Sequence, residues 1–242
     1  MQAVSLQHVL QHPAIWRGNA CARAGDTVPS GLAPLDAWLP GGGWPTGALT
    51  ELLSSREGIG ELSLLAPALA RASTIGRRII LIAPPHVPYA PAFRATGIDT
   101  TQLVWVRART VQDRLWAFEQ ALRSPACGAA LAWSPGPGAD APAWERSLRR
   151  LQLATEQGKG LAFLFCPPQS RTAASPAALR LALEPAPDAP DTLRVRILKR
   201  RGGADVPPIH FERTADGLQA RTQRMPVDPE RGTALPRLAA AG

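Results

Sequence analysis

The sequence predicts an α/β fold: a mostly parallel sheet flanked by helices, antiparallel strands added toward the C-terminus, and a disordered C-terminal tail. Three observations predict it. Short apolar runs (ALTELL, GRRIILIAP, LVWVRA, GAALAW and LAFLFC) alternate with longer segments of helical period, as parallel strands covered on both faces require. After residue 175 the pattern changes to half-alternating runs separated by Pro, Asp and Gly turns, which reads as antiparallel strands. From about residue 222 the chain is polar, Pro-containing and arginine-bearing, with too few apolar anchors to hold a core.

The elements follow in order. Residues 5–17 read as a short helix, with Val4, Leu6, Val9 and Leu10 on an apolar side before Pro13, and 18–27 as a small, polar linker. The segment VPSGLAPLDAWLPGGGWPTGALTELL packs turn formers around Leu32, Leu35 and Leu39 and runs into the first buried strand. A glycine-bearing loop and a helix come next, then buried strands at about 78–83 and 103–108. TVQDRLWAFEQALR is an amphipathic helix with Val111, Leu115, Phe118 and Leu122 on one face, and Thr110 with Asp113 resembles a capping box. GAALAW is a strand, PGPGADAP a loop, and AWERSLRRLQLATEQGKG a helix that gathers Trp144, Leu148 and Leu151 while Arg146, Arg149 and Arg150 fall elsewhere. LAFLFC is the next buried strand. AALRLALE, TLRVRILKR, PIHFER and GLQAR are the expected antiparallel additions. The implied organisation is an N-terminal helix and linker at 1–27, one domain at 28–213 and a tail at 214–242.

Composition narrows the function classes. The longest apolar runs fall well short of the roughly 20 residues needed to span a bilayer, and the start lacks a cationic, cleavable leader. Cys21, Cys127 and Cys166 make neither a disulfide framework nor a metal cluster, and the last two read as small core hydrophobes. These features predict a cytoplasmic protein. The net charge of +8 invites a nucleic-acid reading, but arginine supplies nearly all of it (the two lysines are Lys159 and Lys199) and is spread along the chain. Direct DNA contact is therefore expected to be weak.

The stretch SSREGIGELSLL lies between a strand and a helix, where phosphate-binding loops sit. Such a loop reads G-x-x-x-x-G-K-[ST], with glycines that turn N–H groups inward, a lysine for the phosphates and a hydroxyl for Mg²⁺. With Gly60 as the second glycine, the first falls on Ser55, the lysine on Glu61 and the hydroxyl on Leu62, and Gly58 lies between. A carboxylate occupies the cation's slot, so repulsion replaces attraction. Ser55, Gly58, Gly60, Glu61 and Leu62 thus outline a nucleotide loop without its chemistry.

The run SGLAPLDAWLPGGGWPTGALTEL resembles the lead-in of RecA-type recombinases, a T-G-x-x-x-L-D-x-x-L-G-G-G-x-P-x-G pattern. The order of the later strands and the LKRR segment extend the resemblance over about residues 28–213. With the WRG after the first helix, the chain is most similar to the ImuA group, RecA-like accessory proteins of error-prone translesion synthesis. The resemblance implies where the other ATPase parts belong. The slot of the water-orienting glutamate holds Pro85, beside His86, and that of the Mg²⁺ aspartate holds Trp133 and Ser134. No catalytic residue, cofactor or metal is therefore expected. The two loops that hold DNA in a recombinase correspond to 134–142 and 167–176, the second with one basic residue, Arg171, so both are expected to be plain connectors. Lys199 and Arg201 match a basic pair that reaches ATP on the neighbouring subunit of a RecA filament, so Lys199, Arg200 and Arg201 become the expected partner-binding set. The implied function is a non-catalytic accessory role in the bacterial DNA-damage (SOS) response, with RecA, ImuB and the error-prone polymerase of that assembly as partners. A SulA-type division inhibitor acting on FtsZ and a working RecA-like ATPase are the alternatives.

Overall fold

The computed structural model describes residues 26–138, 140–201, 206–214 and 217–220; the expected N-terminal helix, its WRG, Cys21 and the segment from 222 lie outside them. In chain order the strands are β1 (Thr27–Val28), β2 (Trp44–Pro45), β3 (Leu49–Ser54), β4 (Arg78–Ile82), β5 (Leu103–Val106), β6 (Cys127–Trp133), β7 (Leu161–Cys166), β8 (Leu179–Ala186), β9 (Ala189–Lys199), β10 (Ile209–Thr214) and β11 (Gly217–Ala220). The helices are α1 (Ala33–Asp36), α2 (Glu61–Thr74), α3 (Ala90–Ala95), α4 (Val111–Arg123) and α5 (Ala141–Gly158). No helix among the described residues is long and apolar enough to cross a membrane.

The described strands form a β1–β2 ribbon and one nine-stranded sheet ordered β11-β10-β9-β8-β3-β7-β6-β4-β5. β3 to β8 run parallel, and β9, β10 and β11 are antiparallel additions. This is the predicted class. Neither the dinucleotide-binding order 3-2-1-4-5-6 nor the flavodoxin-like 2-1-3-4-5 describes it, because β6 and β7 lie between β4 and β3.

Period-two alternation sorts the apolar side chains onto two covered faces. Leu161, Phe163 and Phe165 of β7 face a core shared with α1, α2 and α3, where Leu35, Leu64, Leu65, Leu69 and Phe93 pack. Ala162, Leu164 and Cys166 face the core of α4 and α5, built on Phe118, Leu122, Trp144, Leu148 and Leu151. Trp44 meets Phe163 edge to face, with ring centroids 5.3 Å apart. Glycine is required in the lead-in at Gly43, where a Cβ would sit 2.4 Å from the Val28 carbonyl oxygen.

Two helix starts carry side-chain caps, the first of them expected. Thr110 Oγ1 accepts from Asp113 N at 3.0 Å, the hydroxyl half of the predicted box. α5 starts two residues earlier than its apolar period suggests, because Asp140 Oδ1 accepts from Ala143 N and Pro142 fits a first turn. Cys127 and Cys166 are buried free thiols, as their strand positions predict.

Three expectations are corrected. β8 is parallel to β3 rather than antiparallel, because the connection 167–178 is long enough to cross over and enter the sheet on the far side of β3. β5 is not buried; Val104 and Trp105 are each 37% exposed, since β5 is the last strand of the sheet. The sheet also continues beyond residue 213, for β11 pairs with β10 as far as Ala220, so a tail at 214 would begin too early.

Candidate functional site

The loop between β3 and α2 sits at the edge of the sheet where the parallel strands end. Gly58 (φ 73°) and Gly60 (φ 99°) adopt left-handed backbone, which aims successive N–H groups to one side. In a phosphate-binding loop an anion would receive them. Here the Glu61 carboxylate does: Oε1 accepts from Gly58 N and Oε2 from Ile59 N, each at 2.9 Å. The residue in the lysine slot therefore fills the N–H nest as well as removing the cation. The first turn of α2 lies directly behind it, so the carboxylate also meets the positive end of the helix dipole.

An arginine from the added strands locks this loop. Arg213 of β10 donates from Nη1 to the Gly58 carbonyl and from Nη2 to Asp191 Oδ1, both at 2.7 Å. A Cβ on Gly60 would stand 3.1 Å from Arg213 Cδ, a tight approach that adds to the preference for glycine set by the φ of 99°. Ser55 is exposed and Leu62 half-buried, so neither joins the nest; Ser54 Oγ instead accepts from Arg56 N at 3.4 Å.

A cavity of about 830 Å³ opens beside the loop, across the ends of β3, β7, β6, β4 and β5. This is the crevice at the strands' carboxyl ends where open α/β sheets take ligands. Glu61, Pro85, Trp133 and Ser134, assigned by sequence to separate slots, all line it. Trp133 stacks on Phe165 at 4.7 Å, with the rings 6° from parallel, so an aromatic pair occupies the cleft's middle. Ser134 and Pro135 put the start of the 134–142 connection into the wall. His86 is not part of this lining but pairs with Glu57, which is, with Nε2 2.8 Å from Oε2 in an exposed pair.

Arginines line the rest. Arg56 follows β3, and Arg107, Arg109 and Arg114 follow β5. The Arg107 guanidinium lies over the Trp105 ring, 4.3 Å from its centroid, and Arg114 Nε donates to the Ala108 carbonyl at 3.2 Å. None of the four has an ion-pair partner among the described residues. Cys166, also in the wall, has its thiol pushed well up by burial and by the Glu51 carboxylate, so it stays protonated and unreactive. Cys127, buried at the start of β6, is pushed up to about 12 by burial. Among the described residues no cluster of three or more His, Cys, Asp or Glu side chains is arranged to hold a metal.

The basic triplet lies at the other end of the sheet. Lys199 pairs in register with Arg180, and Arg180 with Glu51 near the start of β3, so Lys199, Arg200 and Arg201 emerge where the parallel strands begin. Lys199 Nζ donates to the Ser175 carbonyl at 2.8 Å. Burial holds its pKa below the usual lysine value, helped by the Arg180 and Arg201 charges and opposed by Glu51. Arg200 Nη1 donates to the Trp38 carbonyl at 2.6 Å and its guanidinium lies 5.7 Å from the Trp38 ring. Arg201 is exposed.

Below the triplet is a buried ion pair that the sequence reading passes over. Glu51 is 1% exposed and Arg180 8%. Arg180 Nε donates to Glu51 Oε2 at 2.7 Å, and Ser175 Oγ donates to Glu51 Oε1 at 2.5 Å. Arg180 also donates to the carbonyls of Ser170, Arg171 and Ala173, holding the connection after β7. The signal was one acidic residue inside ALTELL and one basic residue inside AALRLALE. Arg213, Arg107 and Arg109 were passed over too, although the alternation in VRAR marks two arginines on one side of the chain leaving β5.

No family model matches this chain, and no curated protein matches it either.

Proposed function

We propose that the chain is a non-catalytic, RecA-like accessory protein that acts in the cytoplasm by docking on an ATP-bearing partner. The resemblance of its lead-in makes RecA that partner and a translesion polymerase assembly with ImuB the destination, in the DNA-damage response of the ImuA group. One observation carries the non-catalytic part: the Glu61 carboxylate already accepts the Gly58 and Ile59 N–H groups that a phosphate would need. Phosphoryl transfer works by positioning and neutralising phosphate charge, and at this loop the chain's own anion takes that place. The slots around it, filled by Pro85, Trp133 and Ser134, offer no carboxylate for Mg²⁺ or water.

The docking part rests on the triplet. Lys199 and Arg201 emerge at the edge opposite the chain's own loop, which supports a contact with a phosphate on another subunit rather than with one at that loop. Arg200, engaged with Trp38, braces the turn between them. A γ-phosphate reached across an interface makes charge-assisted hydrogen bonds of about 1.5–3 kcal/mol. The test is capture of purified RecA, loaded with a non-hydrolysable ATP analogue, by the full-length chain. Wild type should bind, and Lys199→Ala with Arg201→Ala should bind at least tenfold more weakly, only in the ATP-like state. Equal binding by variant and wild type, or binding indifferent to nucleotide, contradicts the docking reading.

A further inference from the structure

We infer that the cleft at the carboxyl ends of the parallel strands is a binding site for single-stranded nucleic acid. Four guanidiniums line it without a carboxylate partner among the described residues: Arg56 at one end and Arg107, Arg109 and Arg114 at the other. The two carboxylates in the same wall, Glu57 beside His86 and Glu61 on backbone N–H groups, keep their charge but pair with none of the four, so the lining holds four guanidiniums against two carboxylates. Six arginines elsewhere, Arg123, Arg149, Arg150, Arg180, Arg194 and Arg213, are paired with acids, and others such as Arg71 and Arg94 stand exposed at separate helix ends; the cleft differs in gathering four onto one cavity. The cleft is thus a place where positive charge is gathered and left for an anion.

The spacing selects the kind of anion. Arg56 follows β3 and the other three follow β5, the first and fifth of five adjacent strands. At about 4.8 Å per strand the two cationic ends stand on the order of 19 Å apart. One mononucleotide cannot engage both ends, whereas a strand with a phosphate at each nucleotide can. The wall between is not charged: it holds the half-buried Trp133, stacked on the buried Phe165, and the exposed Trp105 ring stands at the β5 end with Arg107 over one face. A cationic groove interleaved with aromatic faces is how proteins hold single strands with little regard to sequence. An acidic peptide would use the arginines but not the rings. The cleft wall takes in the first residues of the two connections that correspond to a recombinase's DNA loops, Ser134, Pro135 and Pro167, but its cations lie outside them, on the chain after β3 and β5; the contact does not depend on docking on RecA, and either can fail while the other holds.

The experiment is fluorescence anisotropy of a labelled oligothymidylate, roughly 12 nucleotides long, titrated with the full-length chain at several salt concentrations. Wild type is expected to bind, with affinity falling as salt rises. Arg107→Gln with Arg109→Gln should weaken binding roughly tenfold and make the logarithmic salt slope shallower by about 1.4, since each phosphate contact to a single strand contributes about 0.7. Trp105→Leu should weaken it roughly fivefold or more through lost stacking, leaving the salt slope unchanged. Arg71→Gln with Arg94→Gln, which removes the same charge from exposed helix ends outside the cleft, should leave binding unchanged. Failure of wild type to bind, equal losses in both double variants, or equal affinity for polyglutamate of similar charge each overturns the assignment. So does tight binding of ATP with no binding of the oligonucleotide.

Discussion

The two ends of β3 hold arginine in opposite states. Where the strand begins, the Arg180 guanidinium is nearly out of water, paired with Glu51 and donating to three backbone carbonyls. Where it ends, four guanidiniums stand around an open cleft with no ion-pair partner among the described residues. The difference follows from solvation. A buried charge without partners is untenable, so the fold must surround Arg180 with acceptors. Water stabilises an exposed guanidinium well enough that none is needed. Charge at the first end is therefore structural, and charge at the second is available to a ligand.

Breaking the buried end should have the largest effect. Arg180→Met leaves Glu51 with Ser175 alone and should lower unfolding free energy by about 3–5 kcal/mol, read by denaturant unfolding. Arg180→Met with Glu51→Leu removes both charges and should recover most of that loss. A double variant as unstable as the single would mean the pair matters for packing rather than charge.

Glu119 offers an intermediate case. It is buried between α4 and α5 and bound by Arg123 and Arg150. Burial pushes its carboxyl up, but the two guanidiniums more than offset this and hold it below its ordinary value. A carboxyl lowered in the fold contributes stability above its unfolded value, near 4.5, and loses it as pH falls through the folded value. Wild type should therefore exceed Glu119→Gln in stability at neutral pH, and the gap should narrow as pH drops below about 4.5. A gap independent of pH would contradict this.

The open end should show the smallest effect. Arg107→Gln with Arg109→Gln should change stability by no more than about 0.5 kcal/mol, because both side chains are exposed. A loss comparable to that at Arg180 would mean these arginines also serve the fold.

Much of the fold was legible because parallel strands buried on both faces leave a strong local signal. GAALAW and LAFLFC mark β6 and β7, and Thr110 marks the start of α4. The direction of β8 was not legible, since AALRLALE reads alike in a parallel or antiparallel neighbour and only the crossover decides. Glu61 was legible as a residue in the wrong slot, but not as the occupant of the N–H nest, which depends on the left-handed Gly58 and Gly60. The cleft was hidden for another reason: Arg56 and Arg107 are far apart in the chain, and the strand order brings them to one wall.

The central claim is that the Glu61 carboxylate fills the place of a nucleotide phosphate. Isothermal titration calorimetry of the full-length chain with Mg·ATP tests it most directly. Wild type should show no binding at micromolar concentrations, and Glu61→Lys with Leu62→Thr, which empties the nest and restores a cation and a hydroxyl, should gain measurable affinity without gaining turnover. Micromolar binding of ATP by wild type, or turnover that Glu61→Ala abolishes, would contradict it.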